Sequence, residues 1–163
     1  MVPVISFVGR SGCGKTTYLE KLITEMKRRG HKLAIIKHDV HGFEMDRPGK
    51  DTWRHAQAGA DVVCISSPAK MAIIAKVEQE LTLAEVAGRI QGVDVIFTEG
   101  YKREGWNRVE VYRPEACGEP LCGPGEIVAM AADKVVYPGL PSFGLDDVAG
   151  MAGFIEERFL RQA

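Results

Sequence analysis

Near the N-terminus, a short apolar run leads into a glycine loop and out into a helix, and this leaves the chain few folds to choose from. Val4-Ile5-Ser6-Phe7-Val8 stops abruptly at Gly9, as expected of a short strand buried on both faces. Gly9-Arg10-Ser11-Gly12-Cys13-Gly14-Lys15-Thr16-Thr17 follows, and then Leu19, Leu22, Ile23 and Met26 recur at helical spacing until Lys27, Arg28, Arg29 and Gly30 close the segment. Strand, loop and helix in this order meet the P-loop pattern. Backbone N–H groups at the helix N-terminus cradle phosphates, the lysine reaches the β- and γ-phosphates, and the threonine hydroxyl binds Mg²⁺. A glycine turn that merely connects two elements leaves Lys15 and Thr16 unexplained. Leu33-Ala34-Ile35-Ile36 then supplies a second buried strand, and the right-handed crossover rule makes it parallel to the first.

Periodicity organises the rest. Residues 38–50 are polar and read as a long loop, 51–58 as a short helix ended by Gly59, and 62–65 with 71–75 as a hairpin turning at Ser66-Ser67-Pro68. A helix is expected over 82–90, followed by the apolar strand 95–97, which runs into Glu99-Gly100. Val109-Glu110-Val111-Tyr112 alternates, as a strand nearer the sheet edge would. Residues 114–126 are rich in Pro and Gly and predict a loop; 127–131 return to strand, and Asp146 or Asp147 caps a last helix whose Val148, Met151, Ile155 and Phe159 form one stripe. Together these elements predict an α/β fold, a P-loop NTPase-like three-layer sandwich with a mostly parallel sheet and a β-hairpin insert, over a single domain spanning 1–163.

Composition narrows the function classes. Lys plus Arg number 21 against 22 Asp plus Glu, a formal charge of -1, so the basic field of a nucleic-acid binder is missing and no such partner is expected. No apolar run approaches the roughly 18 to 20 residues of a membrane span, and no basic n-region precedes a long apolar one, so a cytoplasmic protein with no membrane partner is expected. Cys13, Cys64, Cys117 and Cys122 do not make the dense framework of a small secreted domain and are expected to be reduced thiols. Cys117 and Cys122 lack the second pair that a zinc site needs.

A P-loop takes its Mg²⁺ partner from a neighbouring strand. Asp94 and Glu99 frame one strand about 16 Å apart, and ligands bind beyond the carboxyl ends of such strands, which selects Glu99. Lys37, His38, Asp39, His41, Asp46 and Asp51 leave the same sheet edge after the second strand; Asp51 also reads as a helix N-cap.

GRSGCGKTT, then KHDVHGFEMDRPGKDTWRHAQAGADVV, then DVIFTEGYK, in this order and spacing, resemble the molybdopterin-guanine dinucleotide biosynthesis B proteins, MobB. The resemblance implies binding of GTP with Mg²⁺, a homodimer, weak intrinsic GTP hydrolysis, and assistance to a partner guanylyltransferase that attaches GMP to molybdopterin in the molybdenum cofactor. Carried over by position, Gly9 to Thr17 wrap the phosphates, Thr16 and Glu99 serve Mg²⁺ with Asp51 or Asp46, Lys15 and Glu99 carry any catalysis, and His38, His41, Lys50, Arg54 and His55 line the shared motif. The NKxD motif of ordinary GTPases is absent. Asp133, just past a strand end, is the candidate acceptor for guanine N1 and N2. Lys102, Arg103 and Arg108 around Trp106 are candidates for a pterin phosphate. A P-loop small-molecule kinase or ATP-dependent ligase is the alternative, because such sheets also carry a lysine after the second strand, as Lys37 does here.

Overall fold

The apolar N-terminal run forms β1 (Val4–Val8), buried at every residue. In the computed structural model, which describes residues 2–161, it is followed by α1 (Lys15–Arg28), β2 (Leu33–Lys37), α2 (Asp51–Gln57), and the strands β3 (Val62–Ser66) and β4 (Met71–Ala75). Then come α3 (Leu83–Gly88), β5 (Val95–Glu99), β6 (Val109–Val111), α4 (Pro114–Cys117), β7 (Ala129–Ala131), β8 (Ser142–Phe143) and α5 (Val148–Ile155), which continues through a π-helical turn at Glu156–Leu160. Asp147 caps α5, accepting the N–H of Gly150.

Six strands form one parallel sheet in the order β2-β5-β1-β6-β7-β8, while β3 and β4 pair antiparallel as a separate hairpin. The α/β architecture with its hairpin insert is therefore as the sequence predicts. One sheet face packs Phe7, Phe97 and Val111 against Leu19, Leu22 and Met26 of α1 and Met151 and Ile155 of α5. The opposite face packs Ile36 and Ile96 against Leu83 of α3, and Val8 and Met130 against Tyr112, Cys122 and Ile127. Arg29 fastens the two helices of the first face: its guanidinium donates to Glu25 at 2.7 Å, Glu156 at 2.8 Å and the Ala149 carbonyl at 2.8 Å.

Two strand assignments change. β6 is interior, between β1 and β7, and its Glu110 is 1% exposed. β2 takes the edge instead, with Ile35 46% exposed. The alternating pattern of 109–112 imitates an edge strand because the buried carboxylate has partners that only the fold supplies. At the start of α2, Lys50 holds the N-cap position and Asp51 lies in the first turn, so Asp51 is not the cap.

The chain up to His38 and from Leu83 onward forms one compact unit, and Asp39–Thr82 forms a second. In the second unit, Val62, Ile65, Met71 and Ile73 of the hairpin are 57% to 64% exposed. No helix among the described residues is long and apolar enough to cross a membrane.

Candidate functional site

The loop after β1 turns because its glycines take backbone angles that other residues avoid. Gly9 has φ 148°, and a Cβ there would collide with the Val111 carbonyl oxygen at the end of β6. Gly14, at φ 83°, is the N-cap of α1 and offers no capping side chain, so the N–H groups of the first turn stay open to a ligand. The first turn of α1 also carries no acid that would answer its positive end.

Lys15 folds back over the loop, donating to the Gly9 carbonyl at 3.1 Å and the Arg10 carbonyl at 2.8 Å. Burial holds its ammonium below the ordinary lysine range; the Glu99 carboxylate opposes that shift and Lys102 adds to it. In the first turn of the helix, the Thr16 hydroxyl donates to Glu99 Oε1 at 2.7 Å. Ser11, Gly12, Gly14, Lys15, Thr16, Thr17 and Glu99 together line a cavity of about 320 Å³. The structure thus brings together most of the loop residues expected for phosphate and the acid expected for the metal. An alcohol and a carboxylate are hard oxygen donors, and Mg²⁺ at phosphate sites takes one or two such protein ligands and completes its shell with phosphate and water, so the set fits this ion. Among the described residues there is no group of three or more His, Cys, Asp or Glu that would make an all-protein metal site.

Cys13 is not part of that lining. It is buried and disulfide-bonded to Cys117, with Cα atoms 5.7 Å apart, which corrects the expectation of four reduced thiols; Cys64 and Cys122 are free. The bond arises because the glycine loop packs on the segment after β6, a contact that spacing along the chain does not reveal. Arg10 reinforces it, its Nε donating to the Glu119 carbonyl at 2.9 Å.

That segment has its own anchor, which sequence reasoning missed. Both carboxylate oxygens of buried Glu110 are used, accepting the N–H groups of Leu121 and Cys122. The hydroxyl of Tyr112 donates to the Gly118 carbonyl at 2.6 Å, and that of Tyr137 to the Cys122 carbonyl at 2.8 Å. Residues 114–126 are therefore a pinned structure that contains α4.

The remaining candidates divide. His38 stacks on Tyr101 at 4.5 Å and its backbone N–H donates to the Glu99 carbonyl at 2.9 Å, placing it at the strand end that carries the acid. Asp133 lies past β7, with Oδ1 accepting the Leu145 N–H at 2.8 Å. Trp106 is held at its backbone by Ser6, and Arg108 donates to the Lys102 carbonyl at 3.3 Å. Asp39, His41, Asp46, Lys50, Asp51, Arg54 and His55 belong to the second unit. There Asp46 accepts from Thr52 at 3.1 Å, Asp39 accepts the His41 N–H at 2.9 Å, and Asp51 lies 3.8 Å from Arg54.

A parallel sheet with a glycine loop beyond its central strand defines a doubly wound α/β protein whose ligand crevice opens at the carboxyl ends of the strands. Comparison with known proteins assigns it further. A family model described as "Molybdopterin guanine dinucleotide synthesis protein B", MobB, matches residues 4–133, and the chain belongs to this family. It is 33% identical to the molybdopterin-guanine dinucleotide biosynthesis adapter protein of Escherichia coli (strain K12), over 99% of this chain and 96% of that one. Its identity to the adapter protein of the same description from Haemophilus influenzae is 30%, over 95% and 88% of the two chains. A crystal structure of molybdopterin-guanine biosynthesis protein B superposes with TM-score 0.72 at 29% identity, covering 94% of this chain and 98% of that one. The crystal structure of Bacillus subtilis MobB gives 0.72 at 25%, covering 96% and 98%.

Proposed function

We propose that the chain is a GTP-binding adapter of molybdenum cofactor biosynthesis, which assists a partner guanylyltransferase in attaching GMP to molybdopterin and hydrolyses GTP only weakly. The observation that carries this is the Thr16–Glu99 contact beside the open N–H groups of the loop, an arrangement that suits a triphosphate with its metal, in a chain whose relatives are named adapters. Lys15 would neutralise the terminal phosphates, and Thr16 and Glu99 would hold Mg²⁺. The ion, when bound, supplies charge neutralisation at β- and γ-phosphate oxygens. Asp133, its carboxylate oriented by the Leu145 N–H, is the proposed reader of guanine N1 and N2. The Lys102–Arg108 loop is proposed to meet the pterin phosphate. Calorimetry with GTP, ATP and GDP tests the proposal: GTP should bind preferentially, and Lys15→Ala should abolish both that binding and the stimulation of cofactor guanylylation. Unchanged affinity in Lys15→Ala would remove its basis.

The hairpin supports the homodimer. A two-stranded ribbon is marginal alone in water, and exposed apolar residues gathered on one face mark an interface, so we assign Val62, Met71 and Ile73, which share a face of the hairpin, to the contact between two copies.

One observation favours the kinase or ligase alternative: Lys37 is in register with Glu99 across β2 and β5. ATP preference with a phosphorylated product would decide for it; GTP preference with turnover well below about 1 per second would decide against it.

A further inference from the structure

Arg113 follows Tyr112 just past the end of β6. Its backbone is fixed because its carbonyl accepts the N–H groups of Ala116 and Cys117, both at 3.0 Å, as α4 begins. Its guanidinium lies against the glycine loop: a Cβ built on Gly14 would sit 3.7 Å from Nη2 and 3.9 Å from Cζ. Among the described residues the guanidinium donates to no protein acceptor. Asp146, which feels its charge, is already paired with Lys21 at 2.6 Å.

The electrostatics are lopsided. Lys15, the field of Lys102, the positive end of α1 and Arg113 converge on one loop, against the carboxylate of Glu99 beside Lys15 and that of Asp146, which is already paired with Lys21. A fourth positive element there raises the energy of the protein unless a multiply charged anion shares the site.

Position specifies which part of the anion. Glu99 ends β5, Arg113 follows β6, and β1 with its loop lies between them, so the two side chains flank the loop from opposite sides. Thr16 and Glu99 would hold a metal at the terminal phosphates, which would place those phosphates on the β5 side and leave the nucleoside end to the β6 side. We propose that Arg113 is a further phosphate-binding residue, donating to α- and β-phosphate oxygens of a guanine nucleotide. The assignment rests on the GTP-binding function proposed above. The Cys13–Cys117 bond and the Arg10–Glu119 contact fasten the segment that carries Arg113 to the loop.

The test is calorimetry of GTP and GDP, with Mg²⁺, on the parent, Arg113→Gln, Arg113→Lys and Lys15→Ala. Arg113→Gln should weaken both nucleotides by about tenfold, the effect of losing a charge-assisted hydrogen bond. Arg113→Lys, which keeps the charge and loses the fork, should fall between, and the melting temperatures of the Arg113 variants should match the parent. Affinities of Arg113→Gln within about twofold of the parent, or a loss confined to GTP, would overturn the assignment. A parent that binds nucleotide through Lys15 while ignoring Arg113→Gln would sink this inference alone; a parent that binds neither nucleotide would sink the GTP-binding function with it.

Discussion

The hydroxyl of Thr16 and the carboxylate of Glu99 meet at 2.7 Å, joining the first turn of α1 to the end of β5 across 83 positions of sequence. Two hard oxygen donors thus stand together beside the open end of a helix. Glu99→Gln keeps an acceptor for Thr16 and nearly the same volume while deleting the charge. GTP titrations should show parent affinity falling on chelation of Mg²⁺ and the variant indifferent to it; equal Mg²⁺ dependence would assign the ion to another acid.

Glu110→Ala removes the acceptor of two N–H groups, part-buried at Leu121 and buried at Cys122. Each orphaned donor costs about 1 to 3 kcal/mol, so urea unfolding should show a loss of about 2 to 6 kcal/mol. Glu110→Gln, which retains one acceptor, should lose less. A loss under about 0.5 kcal/mol in the alanine variant would mean that the 114–126 segment is held by other contacts.

Reduction should also destabilise the protein. The Cys13–Cys117 bond spans 104 positions, and in the chain-entropy account a closed loop of about 100 residues contributes up to about 4.7 kcal/mol. Cys117→Ser should match the reduced parent in chemical denaturation and ignore added dithiothreitol. A parent equally stable with and without reductant would contradict this.

Acid should weaken α1. Hydrogen bonds from Arg28 and Arg29 hold the Glu25 carboxyl down to about 2, from an ordinary 4.5, against the opposing effect of burial. Glu156 shifts the same way, through His31 first and then Arg29. A carboxyl whose folded value lies below its unfolded one stabilises the fold above the unfolded value and loses that contribution as pH falls through the folded one. Melting temperature should therefore decline between about pH 4.5 and 2, less steeply in Glu25→Gln; identical slopes would show that other acids dominate.

Ile73→Asp places a charge on the exposed hairpin, where Ile73 is 58% exposed. Light scattering should find a dimer in the parent and a monomer in the variant, with the fold retained by circular dichroism. A variant that stays dimeric would relocate the contact.

The parts of the fold legible in sequence were those encoded locally. The buried run of β1, the loop glycines and the helical spacing of Leu19, Leu22 and Met26 each sit within a few residues, and Glu99 follows from the rule that ligands gather at strand ends. Glu110 was hidden because a charge in an alternating strand looks solvated; its partners are backbone N–H groups, which have no side-chain signature. Cys13 and Cys117 gave no sign of their pairing, which depends on β6 lying next to β1. Arg113 stayed invisible for the same reason. The two residues of β8 are too few to show any period.

The Cys13–Cys117 bond turns everything between those residues into a covalent ring, with α1, three strands of the parallel sheet and the whole Asp39–Thr82 unit threaded on it. A single backbone cut inside the ring opens it without releasing a fragment, so the two pieces would stay tethered beside the crevice for as long as the sulfurs remain joined.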